Sequence, residues 1–537
     1  MLSYRKLAMR VLGRPLHTEG IDSPRPASQR AAAFILTAAM LTTLAAPAFA
    51  DIWHIENGDI TISAGESGNN VTQNNNTTYG DTNTIITNQN KDTASSHTVT
   101  IEAKDKDDKV EVTLKDVNID TSSRNKAAVS VTGEGDTNIK LDGDNALKSD
   151  IYRSGIYGSG SGSLTISGGE NDSLTAQGGS GANGISSSGS LTISGGTVTA
   201  NGDDGGRGIS SNGGVTISGG STVPANGGSG TISGGDGIWS GGGVTISGGS
   251  TVTANGGNGG SLVGGDGIRS GGGLTVSDGT VTAKGGNGDS KDGYGGDGIR
   301  SGGVVTISGN TVNAAGGYGG KVGGYGICSF DRVAISGGTV EAAGGNGSTG
   351  GGSGIYSSVI DLSGSLELTA KAGSPNGKAL SQKGSELVLD TIKDKLGPGA
   401  KVTATDADGK VIDQVSTPRP VEPEESSSSS DGGSAAPSAP ASPLPGLTVT
   451  DKDGQRISYT STQSGNTLTV CVGRLTASFR ISLAALRQLR AEGIETIAFQ
   501  TVLCSTTLSV DELLAMGGEN AEAVLTHRFT DSSLTVG

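Results

Sequence analysis

Three aspartates occupy one position of an internal repeat in this chain of 537 residues. Asp236, Asp266 and Asp297 each stand directly before a Gly-Ile pair. If successive repeats stack, their carboxylates lie about 5 Å apart and repel one another unless N–H groups or a cation compensate the charge. Two hypotheses follow from this spacing. Each carboxylate caps its own turn by hydrogen bonds, or the three bind calcium together with turn carbonyls.

A second set of reactive side chains follows the same Gly-Ile pairs. The residue after the pair is Trp239, Arg269 or Arg300 in three consecutive repeats. If the isoleucine points inward, strand alternation turns this position outward, so the three side chains become neighbours on one face. Aromatic rings stack on sugar rings, and guanidinium groups pair bidentately with carboxylates such as those of uronates. The alternative is that the two arginines only neutralise the adjacent Asp266 and Asp297.

Tyrosines cluster in the same region. Tyr294, Tyr318 and Tyr325 lie in Gly-rich turns near the arginines, in a chain with only 9 Tyr, 6 Phe and 2 Trp. Together with Trp239 they supply rings beside guanidinium groups. We therefore expect a non-catalytic, calcium-assisted site for a polysaccharide, acidic and rich in uronate, formed by these four aromatic residues and the two arginines.

Two other functions fit the same residues. A passive surface adhesin or spacer needs no glycan ligand. A polysaccharide lyase needs clustered acids for calcium and an Arg or Lys base, and only the three aspartates with Arg269 and Arg300 could supply them. These residues fall at equivalent positions of the repeat, which favours a structural role, so we expect that the protein is not an enzyme.

The elements that position these residues form an internal repeat. Gly-Ile pairs recur at intervals of 24 to 31 residues. Their isoleucines are Ile156, Ile185, Ile209, Ile238, Ile268, Ile299, Ile327 and Ile355. Two further segments follow each pair, of the type Leu191-Thr-Ile193 and Val198-Thr-Ala200. All three segments alternate apolar with polar residues between Gly, Asn and Ser, a pattern typical of short strands joined by turns.

Three short strands per repeat predict a mainly β protein built as a solenoid. Each repeat is one coil, and coils stack about 4.8 Å apart. Inward Ile, Val, Leu and Ala then form core columns, although only 32% of the residues are hydrophobic. Substituting Ile268 or Ile299 by Asp should cost several kcal/mol. The same change at Ser270 should matter far less if this residue lies at a turn.

The composition divides the chain into four parts. Residues 1–50 have the features of a signal peptide, with a basic leader, an apolar run and small residues before a cleavage site. Residues 51–412 are the predicted solenoid, and 413–446 form a linker rich in Pro and Ser. Residues 447–537 are predicted to form a small α+β domain of unknown role, with helices that begin after serine caps.

Charge restricts the partners. Without residues 1–50, which hold six basic and two acidic residues, 32 basic residues face 51 acidic ones, a net charge of −19. Such a surface repels nucleic acid phosphates and anionic lipids, so we expect no nucleic acid partner. We also expect no transmembrane segment in the mature chain, because no second apolar stretch reaches membrane length. Cys471 and Cys504 could form a disulfide, in which case Cys328 would have no cysteine to pair with.

Three runs of sequence carry a family resemblance. They are VEVTLKDVNID (110–120), AAVSVTGEGDTNIKLDGDNALKS (127–149) and GIYGSGSGSLTISGG (155–169). Over roughly residues 55–395 the chain resembles the secreted bacterial carbohydrate-binding domains of the pectate-lyase-like superfamily. The resemblance implies a right-handed parallel β-helix that is usually non-catalytic, prefers acidic plant polysaccharide and binds calcium. It also implies an extracellular or cell-surface location in a bacterium.

Overall fold

The computed structural model describes most of the chain after residue 50, in two compact units. The described ranges are 51–418, 446–451, 456–457, 459–464, 466–472, 476–501, 505–516, 521–527 and 532–536. The predicted signal peptide, most of the predicted linker and Cys504 lie outside them.

The first unit is a parallel β-solenoid of about 13 turns, which confirms the predicted fold class. A typical turn contributes three short strands, and each strand pairs with its counterparts one turn away. The strands therefore form three faces, named here in chain order as the Gly-Ile face, the second face and the third face. In the range 51–418, two short 3-10 helices and three short strands at the two ends lie outside these faces, namely Ile55–Asn57, Leu389–Lys395, Gly68–Gln73, Asn76–Asp81 and Ser385–Glu386.

The strands of the three faces have the following bounds. The Gly-Ile face comprises Ile60–Gly65, Val99–Ala103, Val129–Gly133, Ile156–Gly158, Ile185–Ser187, Ile209–Ser211, Ile238–Ser240, Ile268–Ser270, Ile299–Ser301, the first halves of Ile327–Ile335 and Ile355–Leu362, and Leu380–Gln382. The second face comprises Ile52–His54, Ile85–Thr87, Lys109–Lys115, Asp136–Asp142, Leu164–Ser167, Leu191–Ser194, Val215–Ser218, Val244–Ile246, Leu274–Val276, Val305–Ile307 and the second halves of the same two long strands. The third face comprises Asn118–Asp120, Asp144–Lys148, Ser173–Ser180, Thr197–Asp203, Thr222–Asn226, Ser250–Asn255, Gly279–Lys284, Thr311–Ala315, Gly338–Ala343, Leu366–Lys371, Lys401–Thr405 and Val411–Ser416.

Neighbouring coils stack in register, so a residue pairs with its equivalent one coil away. On the Gly-Ile face, Ile238 pairs with Ile268 and Ile268 with Ile299. All three isoleucines are 0% exposed. The inward columns of the three faces form one continuous hydrophobic core from Ile55 to Val415. Each coil contributes only a few side chains to this core. A chain poor in hydrophobic residues can therefore still form a continuous hydrophobic core.

The serine at the end of each Gly-Ile strand is also buried. Ser270 is 3% exposed, and its hydroxyl lies 3.0 Å from the carbonyl oxygens of Gly242 and Gly273. Ser240 and Ser301 donate to glycine carbonyls in the same way. Ser270 therefore lies buried at the end of a strand and not at a turn, so the condition under which Asp would be tolerated there is not met.

The N-terminal end of the solenoid is covered by a hairpin. Gly68–Gln73 runs antiparallel to the first strand of the Gly-Ile face, Ile60–Gly65. Asn76–Asp81 then runs antiparallel to Gly68–Gln73. The hairpin occupies hydrogen-bonding positions that would otherwise be a free strand edge open to another chain.

The C-terminal end is covered by two short antiparallel pairings. Ser385–Glu386 pairs with Leu380–Gln382 on the Gly-Ile face. Val411–Ser416 pairs with Lys401–Thr405 on the third face. The predicted boundary between solenoid and linker, at residue 413, thus falls inside a strand of the solenoid.

A glycine-rich excursion connects the third face to the next Gly-Ile pair in five successive coils. These excursions, together called the glycine arm, are residues 227–237, 256–267, 285–298, 316–326 and 344–354. Backbone hydrogen bonds link the glycines of the arm in a continuous series. Bonds between neighbouring coils alternate with bonds between two residues of the same excursion. Gly257 N–H donates to Gly235, Gly265 N–H to Gly257, and Gly286 N–H to Gly265, each at 2.8 Å.

Glycine is required in the arm because neighbouring backbones lie too close for a side chain. A Cβ atom on Gly265 would lie 1.9 Å from the carbonyl oxygen of Gly235, and one on Gly296 would lie 2.0 Å from that of Gly265. Real contacts of this kind are longer than 3.0 Å. The arm is thus held by backbone hydrogen bonds that only glycine permits.

The described residues of the second unit form two four-stranded sheets and two α-helices. One sheet has the order Leu447–Thr450, Ala477–Ser482, Glu522–His527, Ser532–Val536. The other has the order Thr460–Ser464, Thr467–Cys471, Thr496–Gln500, Ser505–Ser509. The helices are Leu483–Ala491 and Val510–Met516. Ser482 Oγ accepts the N–H of Ala485 and caps the first helix as predicted.

We predict that the glycine arm tolerates alanine only where the backbone leaves room. Gly296→Ala should lower the free energy of unfolding by about 1–3 kcal/mol or more, the usual cost of overpacking. Gly350→Ala, also in the arm, should be nearly neutral, because its Cβ would come no closer than 3.8 Å to Val322. Urea unfolding of both variants measures the difference. Equal stability of the two variants would contradict the described packing of the arm.

Candidate functional site

A groove of about 860 Å³ lies between the outer surface of the Gly-Ile face and the glycine arm. Its lining follows the ladder position, the residue before each Gly-Ile pair, from Asn183 to Tyr325. Six coils contribute, which corresponds to a length of about 24 Å at the usual spacing between strands. The groove is therefore formed by repetition of the same positions along the solenoid.

The three aspartates line the groove and are almost fully buried. Asp236, Asp266 and Asp297 are 6%, 6% and 4% exposed. Asp236 Oδ1 accepts the N–H of Asp266 at 2.9 Å, and Asp266 Oδ1 accepts the N–H of Asp297 at 2.7 Å. Asp297 Oδ1 accepts the N–H of Tyr325 at 2.7 Å. Each carboxylate thus bonds the next coil, whereas the turn-capping hypothesis placed this bond within its own turn.

An arginine neutralises each aspartate of this ladder from the outer side. Arg300 lies 3.2 Å from Asp297 Oδ2, and Arg269 lies 3.9 Å from Asp266 Oδ2. Arg207, which occupies the ladder position itself, lies 3.2 Å from Asp236 Oδ2. The arginine side chains remain 36–49% exposed, so part of each guanidinium group faces the groove and solvent.

Burial and mutual repulsion shift the titration of two ladder carboxyls. The pKa of Asp266 is raised well above its ordinary value by burial and by the charges of Asp297 and Asp236. Burial raises the pKa of Asp297 to about 6, although the Tyr325 N–H and Arg300 oppose the shift. Near neutral pH, the negative charge of the ladder is therefore smaller than the number of its carboxyls suggests.

Aromatic and apolar side chains of the arm form part of the lining. Tyr294 and Val263 are exposed by 43% and 41%, and both line the groove with Tyr325. Trp239 lies at the edge, where the guanidinium carbon of Arg207 stands 4.4 Å from its ring centre. Of the predicted binding residues, the structure thus brings together Arg269, Arg300, Tyr294 and Tyr325.

Tyr318 lies elsewhere. It lines a smaller depression of about 290 Å³ with Asn346 and Lys371, and it is 47% exposed. Arg207 is the groove residue that the sequence analysis missed. The available signal was its place directly before a Gly-Ile pair, the same position that the aspartates occupy in the next three coils.

An aromatic cluster lies beside the C-terminal end of the groove. The rings of Tyr325 and Tyr356 stack with centres 4.9 Å apart, and Phe330 lies under the guanidinium group of Arg300. Cys328, between Arg300 and Tyr356 in the pairing register, is 1% exposed. Burial raises the pKa of its thiol to about 12, so the thiolate needed for nucleophilic chemistry is not available at neutral pH.

Metal binding has no further support in the geometry. Within the described ranges, no group of three or more His, Cys, Asp and Glu side chains is placed to hold a metal ion. One oxygen of each ladder aspartate already accepts a backbone N–H. The calcium site at Asp236, Asp266 and Asp297 stays a prediction.

The fold places the first unit in the class of parallel β-solenoid proteins. No family model, no curated protein and no solved structure matches the chain. In the part of the chain that the structure describes, no helix is long and apolar enough to cross a membrane.

We predict that Asp297→Asn stabilises the protein at neutral pH. Asn keeps the acceptor for the Tyr325 N–H, as Asn183 does for the Arg207 N–H at 2.8 Å. In the wild type, the unfolded chain ionises Asp297 near 3.8 and the folded chain near 6, so the free energy of unfolding falls as pH rises through this interval. The neutral amide removes this loss of about 3 kcal/mol.

Unfolding in urea at pH 4 and at pH 7.5 measures the effect. The pH dependence of the variant should be smaller than that of the wild type. Asp297→Ala is the matched control, since it leaves the Tyr325 N–H without its acceptor and should cost about 1–3 kcal/mol. Identical pH profiles for wild type and Asp297→Asn would show that Asp297 has an ordinary pKa.

Proposed function

We propose that the protein is a secreted, non-catalytic binder of acidic polysaccharide and that the groove beside the Gly-Ile face is its binding site. The observation that carries this proposal is the alignment of Arg207, Arg269 and Arg300 with Tyr294 and Tyr325 along one groove. Guanidinium groups bind carboxylates, and exposed rings stack on sugar rings. A linear polymer of uronate sugars presents both kinds of surface repeatedly.

The buried aspartates support this function by positioning the arginines. Each aspartate is fixed by a backbone N–H on one oxygen. With the other oxygen, Asp236 accepts a hydrogen bond from Arg207 and Asp297 accepts one from Arg300, both at 3.2 Å, while Arg269 lies 3.9 Å from Asp266. A guanidinium group held in this way loses less side-chain entropy on binding a ligand, because its conformation is already restricted. Its remaining N–H groups can donate to a ligand carboxylate.

Charge also favours an anionic ligand at this place. Without residues 1–50, the chain has 32 basic and 51 acidic residues, and this net charge of −19 repels polyanions at long range. In the groove, three arginines face three buried carboxyls, and the raised pKa values of Asp266 and Asp297 reduce the opposing charge. The groove is thus the part of the Gly-Ile face where a carboxylate meets arginines held at fixed positions.

The passive spacer is the second candidate, and the ion pairs favour it. If Arg269 and Arg300 serve only Asp266 and Asp297, the groove has no cation to offer a ligand. The two functions differ in a single property, which is whether the arginines bind an external carboxylate. Secretion and calcium assistance are separate parts of the proposal, and each needs a test other than carboxylate binding by the arginines.

We predict that the mature chain is retained on polygalacturonate and that Arg269→Ala with Arg300→Ala weakens binding about tenfold or more, since a hydrogen bond between charged groups contributes about 1.5–3 kcal/mol. Retention of wild type should fall with added salt. Arg332→Ala is the matched control, because this arginine is 51% exposed and lies outside the groove lining.

Four readouts separate the alternatives. Wild-type retention equal to that of the double variant, or absent, would support the spacer. Unsaturated uronate products in the polygalacturonate reaction would show a lyase and overturn the non-catalytic assignment. Retention on neutral glucan equal to that on polygalacturonate would overturn the acidic specificity. Loss of retention with a chelator would support calcium, and unchanged retention would remove calcium from the proposal.

A further inference from the structure

A second depression lies on the Gly-Ile face, nearer the N-terminus. Its volume is about 360 Å³, and Lys126, Arg153 and Tyr157 line it beside the hydroxyl groups of Thr100 and Ser130. It combines two cations and one ring, as the groove does on a larger scale. Neither the sequence pattern nor the family resemblance assigned a role to these residues.

Both sites belong to one column of outward residues. Ser130 pairs with Thr100 on one side and with Tyr157 on the other. From Tyr157 the register continues through Ser186, Ser210, Trp239, Arg269 and Arg300. Four steps separate Tyr157 from Arg269, about 19 Å at the usual strand spacing. The two residues between Tyr157 and Trp239 are serines, and the Arg207 guanidinium group lies over the second of them, 3.5 Å from Ser210 Oγ. A polymer that follows the column therefore passes over Arg207 on its way from Trp239 to Tyr157.

The depression has an excess of positive charge. The Asp59 carboxylate is shared by Arg124 at 2.9 Å and Lys126 at 3.0 Å, so one negative charge meets two permanent positive charges. Arg153 donates from Nε to the amide oxygen of Asn125 at 3.2 Å, and it forms no ion pair with another residue of the range 51–418. Asp150, close in sequence, uses its carboxylate to accept the N–H groups of Asn125 and Ile151.

Exposed rings connect the depression to the groove. Tyr157 is 44% exposed and lines the depression. Tyr152 is 78% exposed and lies over Gly181, where an added Cβ would meet its ring at 2.8 Å. Gly181 lines the N-terminal end of the groove. A sugar chain that leaves the groove at this end would therefore pass Tyr152 before it reaches Tyr157.

We propose that this depression is a second subsite for the acidic polysaccharide, so that one linear uronate polymer lies along the solenoid axis from Lys126 to Tyr325. The inference rests on the proposed function of the groove. Two weak sites that bind the same chain act together, because the first contact raises the effective concentration of polymer at the second. Affinity should therefore depend on the length of the polymer.

Calorimetric titration of the mature chain with polygalacturonate and with oligogalacturonides shorter than the groove tests this inference. Arg153→Ala with Tyr157→Ala should weaken binding of the long polymer on the order of tenfold and change that of the short oligomers less than about twofold. Arg269→Ala with Arg300→Ala should weaken both. Arg332→Ala with Tyr79→Ala is the matched control, as Tyr79 is 77% exposed on the N-terminal hairpin.

Each result has a distinct meaning. If the Arg153 and Tyr157 variant binds the long polymer as tightly as the control, the second subsite is overturned and the groove keeps its function. If this variant loses short oligomers equally while its thermal unfolding is unchanged, the depression is the main site and the two-subsite arrangement is overturned. If the Arg269 and Arg300 variant binds both ligands like wild type, the proposed function itself fails.

Discussion

The structure depends on one constraint, which is that coils stack in register. In a parallel solenoid each residue lies directly above its equivalent, at about 4.8 Å. Like therefore stacks on like: isoleucine on isoleucine in the core, serine on serine at the corner, and glycine on glycine in the arm. Stacking lets a chain of low hydrophobic content fold, but it also concentrates chemically identical side chains in continuous columns.

The candidate site is a consequence of that concentration. Stacked carboxylates would repel one another. A backbone N–H of the next coil and an arginine on the outer side of the solenoid compensate this repulsion. The same stacking places Arg269 beside Arg300. It also stacks the Gly-rich excursions into the glycine arm, which forms one side of the groove. Asn183 occupies the ladder position without a charge, so the hydrogen bond alone does not require Asp. The buried charge is therefore an added cost, and each ladder carboxylate lies within 4 Å of an arginine that lines the groove.

Periodicity in the sequence was sufficient to predict the solenoid, its inward columns and the outward arginines, because the alternation of apolar and polar residues depends only on neighbours along the chain. It did not predict the hydrogen bond from Asp266 to the next coil, the path of the glycine arm or the position of Tyr318. These depend on how loops of unequal length fold between coils. Arg207 was missed because its ion pair joins it to Asp236 in the next coil, whereas the pairs expected for Arg269 and Arg300 lie within one coil. Lys126 and Arg153 were missed because the early coils are irregular.

The central claim is that the groove beside the Gly-Ile face binds acidic polysaccharide, and the fluorescence of Trp239 tests it most directly. The chain has only two tryptophans, so Trp53→Phe leaves Trp239 as the single reporter. Its ring lies 4.4 Å from the guanidinium carbon of Arg207, a groove residue that a bound carboxylate would attract. Titration with polygalacturonate should change the emission of Trp239 to a saturating value, whereas neutral glucan should leave it unchanged. An emission that polygalacturonate does not alter, or that both polymers alter equally, would contradict the account.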